Sequence, residues 1–224
     1  MLIFHFLALV ITVFPSPLLP APYYKPLLNR LEDRLWDQND DVTILTNPSS
    51  STLSQLDSNS KIITLSHSAG SQRMILRNFK KLQSQSQSQS PPRPKPNYVG
   101  HIFVSYNNYP LSSSMPYGSK IAKFRDYVSL INLPSRSKSV SRNLQKITDE
   151  NVLIVQAAND GIDQSVQLHE ALKEGNDVRF CRLGGGHLDC VNSEDCADVV
   201  ERFVKFVCGG SEEGRIEINM NEMK

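Results

Sequence analysis

Compact apolar, β-branched blocks alternate along this chain with stretches in which apolar residues recur every three or four positions. The blocks at 9–14, 41–46, 61–66, 101–105, 152–157 and 178–183 predict strands, most of them apolar enough to be covered on both faces. Between the first two, Leu27, Leu28, Leu31 and Leu35 fall at helical spacing with charged residues among them, so 23–36 predicts an amphipathic helix lying on a sheet. Helices are likewise predicted at 69–82, 163–173 and 193–207, and 117–133 and 140–147 read as irregular or helical cover. Strands separated by helices imply an α/β fold, a mostly parallel sheet with helices on both faces.

The first apolar run, 2–14, is too short to span a bilayer, so no transmembrane span is expected. A secretory segment ending near Ala21 is the alternative, but no positively charged residue precedes the run. The β-branched content of 9–14 and its stop at Pro15 favour a buried strand, so 1–20 reads as an N-terminal strand or else a signal segment. Residues 21–208 form the expected domain. Within it, 83–96 alternates Ser and Gln and then passes into proline, a composition unable to bury apolar surface and expected to stay disordered or extended. Residues 209–224 make a polar, loose tail.

Length and charge narrow the functional classes. A chain of 224 residues suits one domain with a real core. A formal net charge of +1 offers no field for nucleic acid or an acidic substrate. The four cysteines, Cys181, Cys190, Cys196 and Cys208, cluster near the end rather than spreading as a disulfide framework would, which favours a reducing compartment.

In an open parallel sheet, ligands sit beyond the carboxyl ends of the strands. Three such positions carry chemistry. After 61–66 comes Ser66-His67-Ser68-Ala69-Gly70, a strand-to-helix turn resembling the nucleophile elbow G-x-S-x-G with Ser66 at the first glycine. The elbow reading exposes Ser68; the plain reading makes it a helix cap. After 152–157 comes Asp160, positioned to orient a histidine, with Asp163 as the alternative acid and the better helix cap. After 178–183, Gly184-Gly185-Gly186 delivers His187. Serine, acid, histidine is the chain order of α/β-hydrolases and differs from the chymotrypsin and subtilisin orders. The reading is a serine hydrolase in which Ser68 is nucleophile, His187 base and Asp160 the orienting acid, needing no cofactor. A metal reading would group Cys181, His187, Cys190 and Cys196, but their spacings match no standard zinc pattern.

Two further segments, His101-Ile102-Phe103-Val104-Ser105-Tyr106-Asn107-Asn108-Tyr109-Pro110 and Asp160-Gly161-Ile162-Asp163-Gln164-Ser165, resemble DUF1350, a family found in cyanobacteria and in plant and algal plastids. His67-Ser68-Ala69-Gly70, Gly185-Gly186-His187-Leu188 and the Ala21-Pro22-Tyr23-Tyr24 and Leu27-Leu28 start are similar to its motifs as well. The resemblance implies an α/β-hydrolase fold and a plastid location. Two departures stand beside it. The connection 46–60 is a short Ser-rich loop where the family usually has a helix. The family's glycine-rich loop, which normally supplies one oxyanion-hole N–H, is replaced by Phe14-Pro15-Ser16-Pro17. Proline has no N–H, so Ala69 and Ser16 are the expected oxyanion donors.

Two main functional readings follow. One is a hydrolase acting on a small or lipid-like ester. The other is a catalytically silent α/β-hydrolase-fold protein that binds a ligand or partner in a plastid, motivated by the altered oxyanion loop and by Ser66. A third takes the short 46–60 connection as the mark of a divergent or incomplete product. Asn107 and Asn108 read either as substrate-binding amides or as an ordinary turn before Tyr-Pro, with the turn preferred.

Overall fold

The computed structural model describes residues 8–16, 19–36, 42–56, 59–75, 97–107, 143–144, 147–148, 150–161 and 163–209. Six strands, β1 (Leu9–Phe14), β2 (Val42–Thr46), β3 (Lys61–His67), β4 (Asn97–Val104), β5 (Asn151–Ala157) and β6 (Asp177–Leu183), form one sheet in the order β2-β1-β3-β4-β5-β6. Every pairing is parallel. The helices are α1 (Lys25–Trp36), α2 (Ser50–Gln55), a helical stretch over 70–75, α3 (Ser165–Leu172) and α4 (Glu194–Gly209).

Strand β1 is buried along its whole length, because β2 and β3 pair with its two edges. Side chains alternate across the sheet as a period of two requires. Leu153 and Val155 join the layer of α1 and α4, while Val152 and Ile154 join that of 70–75 and α3. The connection from β1 through α1 to β2 runs toward one edge, and those from β3 to β4 and β5 to β6 run toward the other. Right-handed crossovers in opposite directions must lie on opposite faces, which is the observed division of helices. Helix α1 buries Leu27, Leu31 and Leu35, and its solvent side reaches α4 through Arg34, which contacts Asp198, Glu194 and Glu201. On β4, Gly100 makes room for Phe203, whose ring would lie 3.1 Å from an added Cβ.

Several expected elements shift. The 46–60 connection is not a bare loop: α2 forms within it because the Ser49 hydroxyl accepts the Thr52 N–H at 3.0 Å, the ordinary N-cap bond. Strand β4 begins four residues before the 101–105 block, because pairing with β3 continues through Lys61 and Ile62 across a bulge. Helix α3 begins at Ser165 rather than 163, Asp163 standing just outside it. The segments 76–96, 108–142 and 210–224 lie outside the described residues, and with them the Ser/Gln insertion, the 117–133 cover, most of 140–147 and the tail beyond 209. Among the described residues no helix is long and apolar enough to cross a membrane, and all four cysteines are free.

Candidate active site

The chain changes its winding direction between β1 and β3, so the crevice beyond their carboxyl ends is the natural ligand site of the sheet. Ser16 and Ser68 lie at those two ends. Ser68 has φ +54°, a left-handed conformation that costs a serine of order 1 kcal/mol and turns β3 abruptly into the helix over 70–75. Its N–H is pinned to Val104 O at 3.0 Å, and its carbonyl accepts the Ser71 N–H at 3.1 Å. An added Cβ on Gly70 would lie 2.1 Å from Phe14 O and 2.7 Å from Pro15 O, so only glycine lets the helix pass this close to β1. The first glycine of the motif is dispensable here for a visible reason. The Ser66 hydroxyl donates to Ile102 O at 3.2 Å and accepts from the Ser71 hydroxyl at 3.0 Å, so its extra atom is buried and satisfied.

The loops after β5 and β6 are stitched together by Ala158 N–H to Leu183 O (2.7 Å) and Asn159 N–H to Gly185 O (3.0 Å). This brings Asp160 to His187. The imidazole Nδ1–H donates to Asp160 Oδ2, and Nε2 accepts from Ser68 Oγ at 2.8 Å. The Asp160 side chain is 2% exposed and that of His187 11%, leaving the histidine the wetter of the two. The alternative acid is occupied elsewhere: Asp163 Oδ1 accepts the Ser165 N–H at 2.6 Å and Oδ2 the Ala157 N–H at 3.1 Å, tying the end of β5 to the start of α3. Burial pushes its carboxyl up to about 6 against the pull of those two bonds.

The oxyanion side departs from the sequence reading. The Ser16 N–H donates to the Tyr24 hydroxyl at 2.8 Å and is thereby engaged inside the protein. The physical reason is local: Pro15 and Pro17 have no N–H, and the fully buried Tyr24 phenol takes the donor that lies between them. Ala69 follows Ser68 at the head of the 70–75 helix. Asn107 is fully buried beyond β4, and Asn108 lies outside the described residues. Among the described residues no group of three or more His, Cys, Asp or Glu side chains gathers as metal ligands would, so Cys181, His187, Cys190 and Cys196 do not assemble into such a group.

Three residues at the site carried no role in the sequence reading. Tyr24 Oη lies 2.9 Å from His67 Nδ1, His67 Nε2 lies 3.0 Å from the His187 carbonyl oxygen, and the Tyr23 hydroxyl donates to Leu188 O. All three sit inside segments that resemble family motifs, but no spacing rule links residues 43 and 120 positions apart.

The sequence matches no curated protein. Solved structures similar to this one include an esterase of the archaeon Pyrobaculum calidifontis (TM-score 0.61, 10% identity, 90% of this chain and 76% of that one). Carboxyl esterase 2 of the mycorrhizal fungus Tuber melanosporum is similar as well (TM-score 0.60, 14% identity, 90% and 75%), as is human thioesterase 2 (TM-score 0.54, 13% identity, 90% and 98%). The fold is therefore that of the α/β-hydrolases. Residues 95–209, which carry β4 to β6, the acid and the histidine, match the family described as protein of unknown function (DUF1350), and the chain belongs to that family.

Proposed function

We propose that this protein is a serine hydrolase that cleaves small or lipid-like carboxylic esters or thioesters. The observation carrying the reading is the unbroken line Ser68 Oγ, His187 Nε2, His187 Nδ1, Asp160 Oδ2, built from three loops at one end of the sheet. With Nδ1–H committed to Asp160, Nε2 holds a lone pair and accepts the Ser68 proton as Oγ attacks an acyl carbon. The protonated imidazole then returns that proton to the departing alkoxide or thiolate, leaving an acyl-serine that water hydrolyses by the same relay. The Ala69 N–H is the proposed oxyanion donor. The similar solved structures include esterases and a thioesterase, which suits this chemistry.

A specific observation favours the second reading, a silent binding protein: the Ser16 N–H is turned to Tyr24. Loss of one oxyanion donor costs about a hundred- to a thousand-fold in rate. Labelling with a fluorophosphonate probe separates the two. The expected result is labelling of the wild type that disappears in Ser68→Ala and in His187→Ala. A folded wild-type protein that never labels would establish the silent reading.

A further inference from the structure

In neutral His67 the hydrogen-bond roles follow from its partners. The His187 carbonyl oxygen can only accept, so the His67 Nε2 that faces it at 3.0 Å carries the proton. Nδ1 then presents a lone pair, and the Tyr24 hydroxyl 2.9 Å away must donate to it. Tyr24 Oη in turn accepts the Ser16 N–H at 2.8 Å. His67 and Tyr24 are both fully buried. Desolvation, reinforced by the neighbouring His187, lowers the His67 pKa to about 3, so it stays neutral and single-tautomer throughout the physiological range. The segment it grips follows three consecutive glycines, 184–186, which by themselves leave the position of His187 weakly determined. The next carbonyl, Leu188, is held by Tyr23. Two adjacent carbonyls of the histidine loop are thus gripped by donors that depend on the Tyr23-Tyr24 pair.

We propose that Tyr24 and His67 are positioning residues for His187: the Tyr24 hydroxyl orients the His67 ring by donating to Nδ1, and the His67 Nε2–H fixes the main chain that carries the base. The inference rests on the hydrolase reading for its effect on rate, but the tautomer and the clamp are measurable without it. A displacement of the base by about 1 Å is enough to lower reactivity about a hundred-fold.

The test compares fluorophosphonate labelling rates and histidine ¹⁵N NMR spectra in the wild type, His67→Gln, His67→Leu and Tyr24→Phe. Glutamine offers an amide donor near the Nε2 position and a carbonyl to accept from Tyr24; leucine fills the space and offers neither. The expected result is labelling within about three-fold of wild type in His67→Gln and slowed about ten- to a hundred-fold in His67→Leu and Tyr24→Phe. The wild-type spectrum should show His67 protonated at Nε2 alone, and Tyr24→Phe should keep that form while shifting the Nδ1 signal to that of a nitrogen without a hydrogen-bond donor. If leucine labels as fast as glutamine, or if the wild type carries the His67 proton on Nδ1, the proposal is wrong. A wild type that never labels would overturn the hydrolase reading only. The spectra then decide: His187 ring signals displaced in His67→Leu and kept in His67→Gln support the clamp, and signals unchanged in both refute it. Variants that do not fold leave the wild-type tautomer as the deciding measurement.

Discussion

At the scale of single residues, the elbow concentrates the steric demands of the fold. Ser68 is held in a left-handed conformation by the close passage of the following helix over Phe14 and Pro15, and Gly70 is the residue that allows that passage. Gly70→Ala is expected to destabilise the protein by about 3 kcal/mol, since the added methyl meets main-chain oxygens that no side-chain rotation can clear. Urea denaturation would show this as a lower midpoint at unchanged slope. Ser66→Gly should behave oppositely to what the motif suggests. It removes a satisfied hydroxyl and adds backbone freedom, giving no gain in stability. The elbow was legible in the sequence because its small residues follow a β-branched run, whereas tolerance of Ser66 depends on Ile102 O and Ser71, which only the sheet and helix bring near.

At the scale of elements, α1 joins the rest of the molecule through two unlike surfaces. Its inner face buries Leu27, Leu31 and Leu35 against the sheet, and its outer edge pairs Arg34 with three acids of α4. The buried face should dominate. Leu31→Ala is expected to cost about 2–5 kcal/mol, the sum of lost transfer energy and a residual cavity. Arg34→Ala should cost about 1 kcal/mol or less, because the acids are partly exposed and solvent screens the pairs, and the loss should shrink at high salt. Thermal unfolding of both variants at low and high ionic strength checks the order. The leucine spacing announced this helix and its inner face, but the partner of Arg34 lies some 160 residues away and no periodicity points to it.

At the scale of the whole molecule, burial of ionisable groups sets the pH dependence. His67 and His101 are neutral in the folded state, lowered by desolvation to about 3 and about 4. Below the unfolded value of about 6.5 the unfolded chain binds protons that the folded chain refuses. Their contribution to stability is therefore complete above that pH and is lost as the pH falls toward 4 and 3. Asp163 runs the other way: its carboxyl is raised to about 6, so between that pH and 3.8 the folded state takes up the proton and gains stability. Two histidines against one acid predict a net fall in stability between pH 6.5 and 4.5. The fall should be shallower in a Thr64→Val, His101→Phe double variant, which removes a buried 2.7 Å bond by replacing both partners. Parallel urea titrations at pH 7 and 4.5 measure it. A wild-type midpoint that is flat over this range would refute the assignment of buried neutral histidines.

The sequence by itself determined the parallel α/β architecture, since β-branched blocks and helical spacing are local properties of the chain. It also marked Ser68, Asp160 and His187 as the residues to inspect, because each lies in the turn or loop beyond the carboxyl end of a strand and ligands gather there. The tertiary structure decided what those residues touch. It set Asp160 rather than Asp163 against His187 by engaging Asp163 with two backbone N–H groups, gave the Ser16 N–H to Tyr24, and placed His67 between Tyr24 and the histidine loop. Such pairings join side chains to backbone atoms far apart in the chain. They follow from how strands and loops are brought together, and no pattern of hydrophobic spacing encodes them.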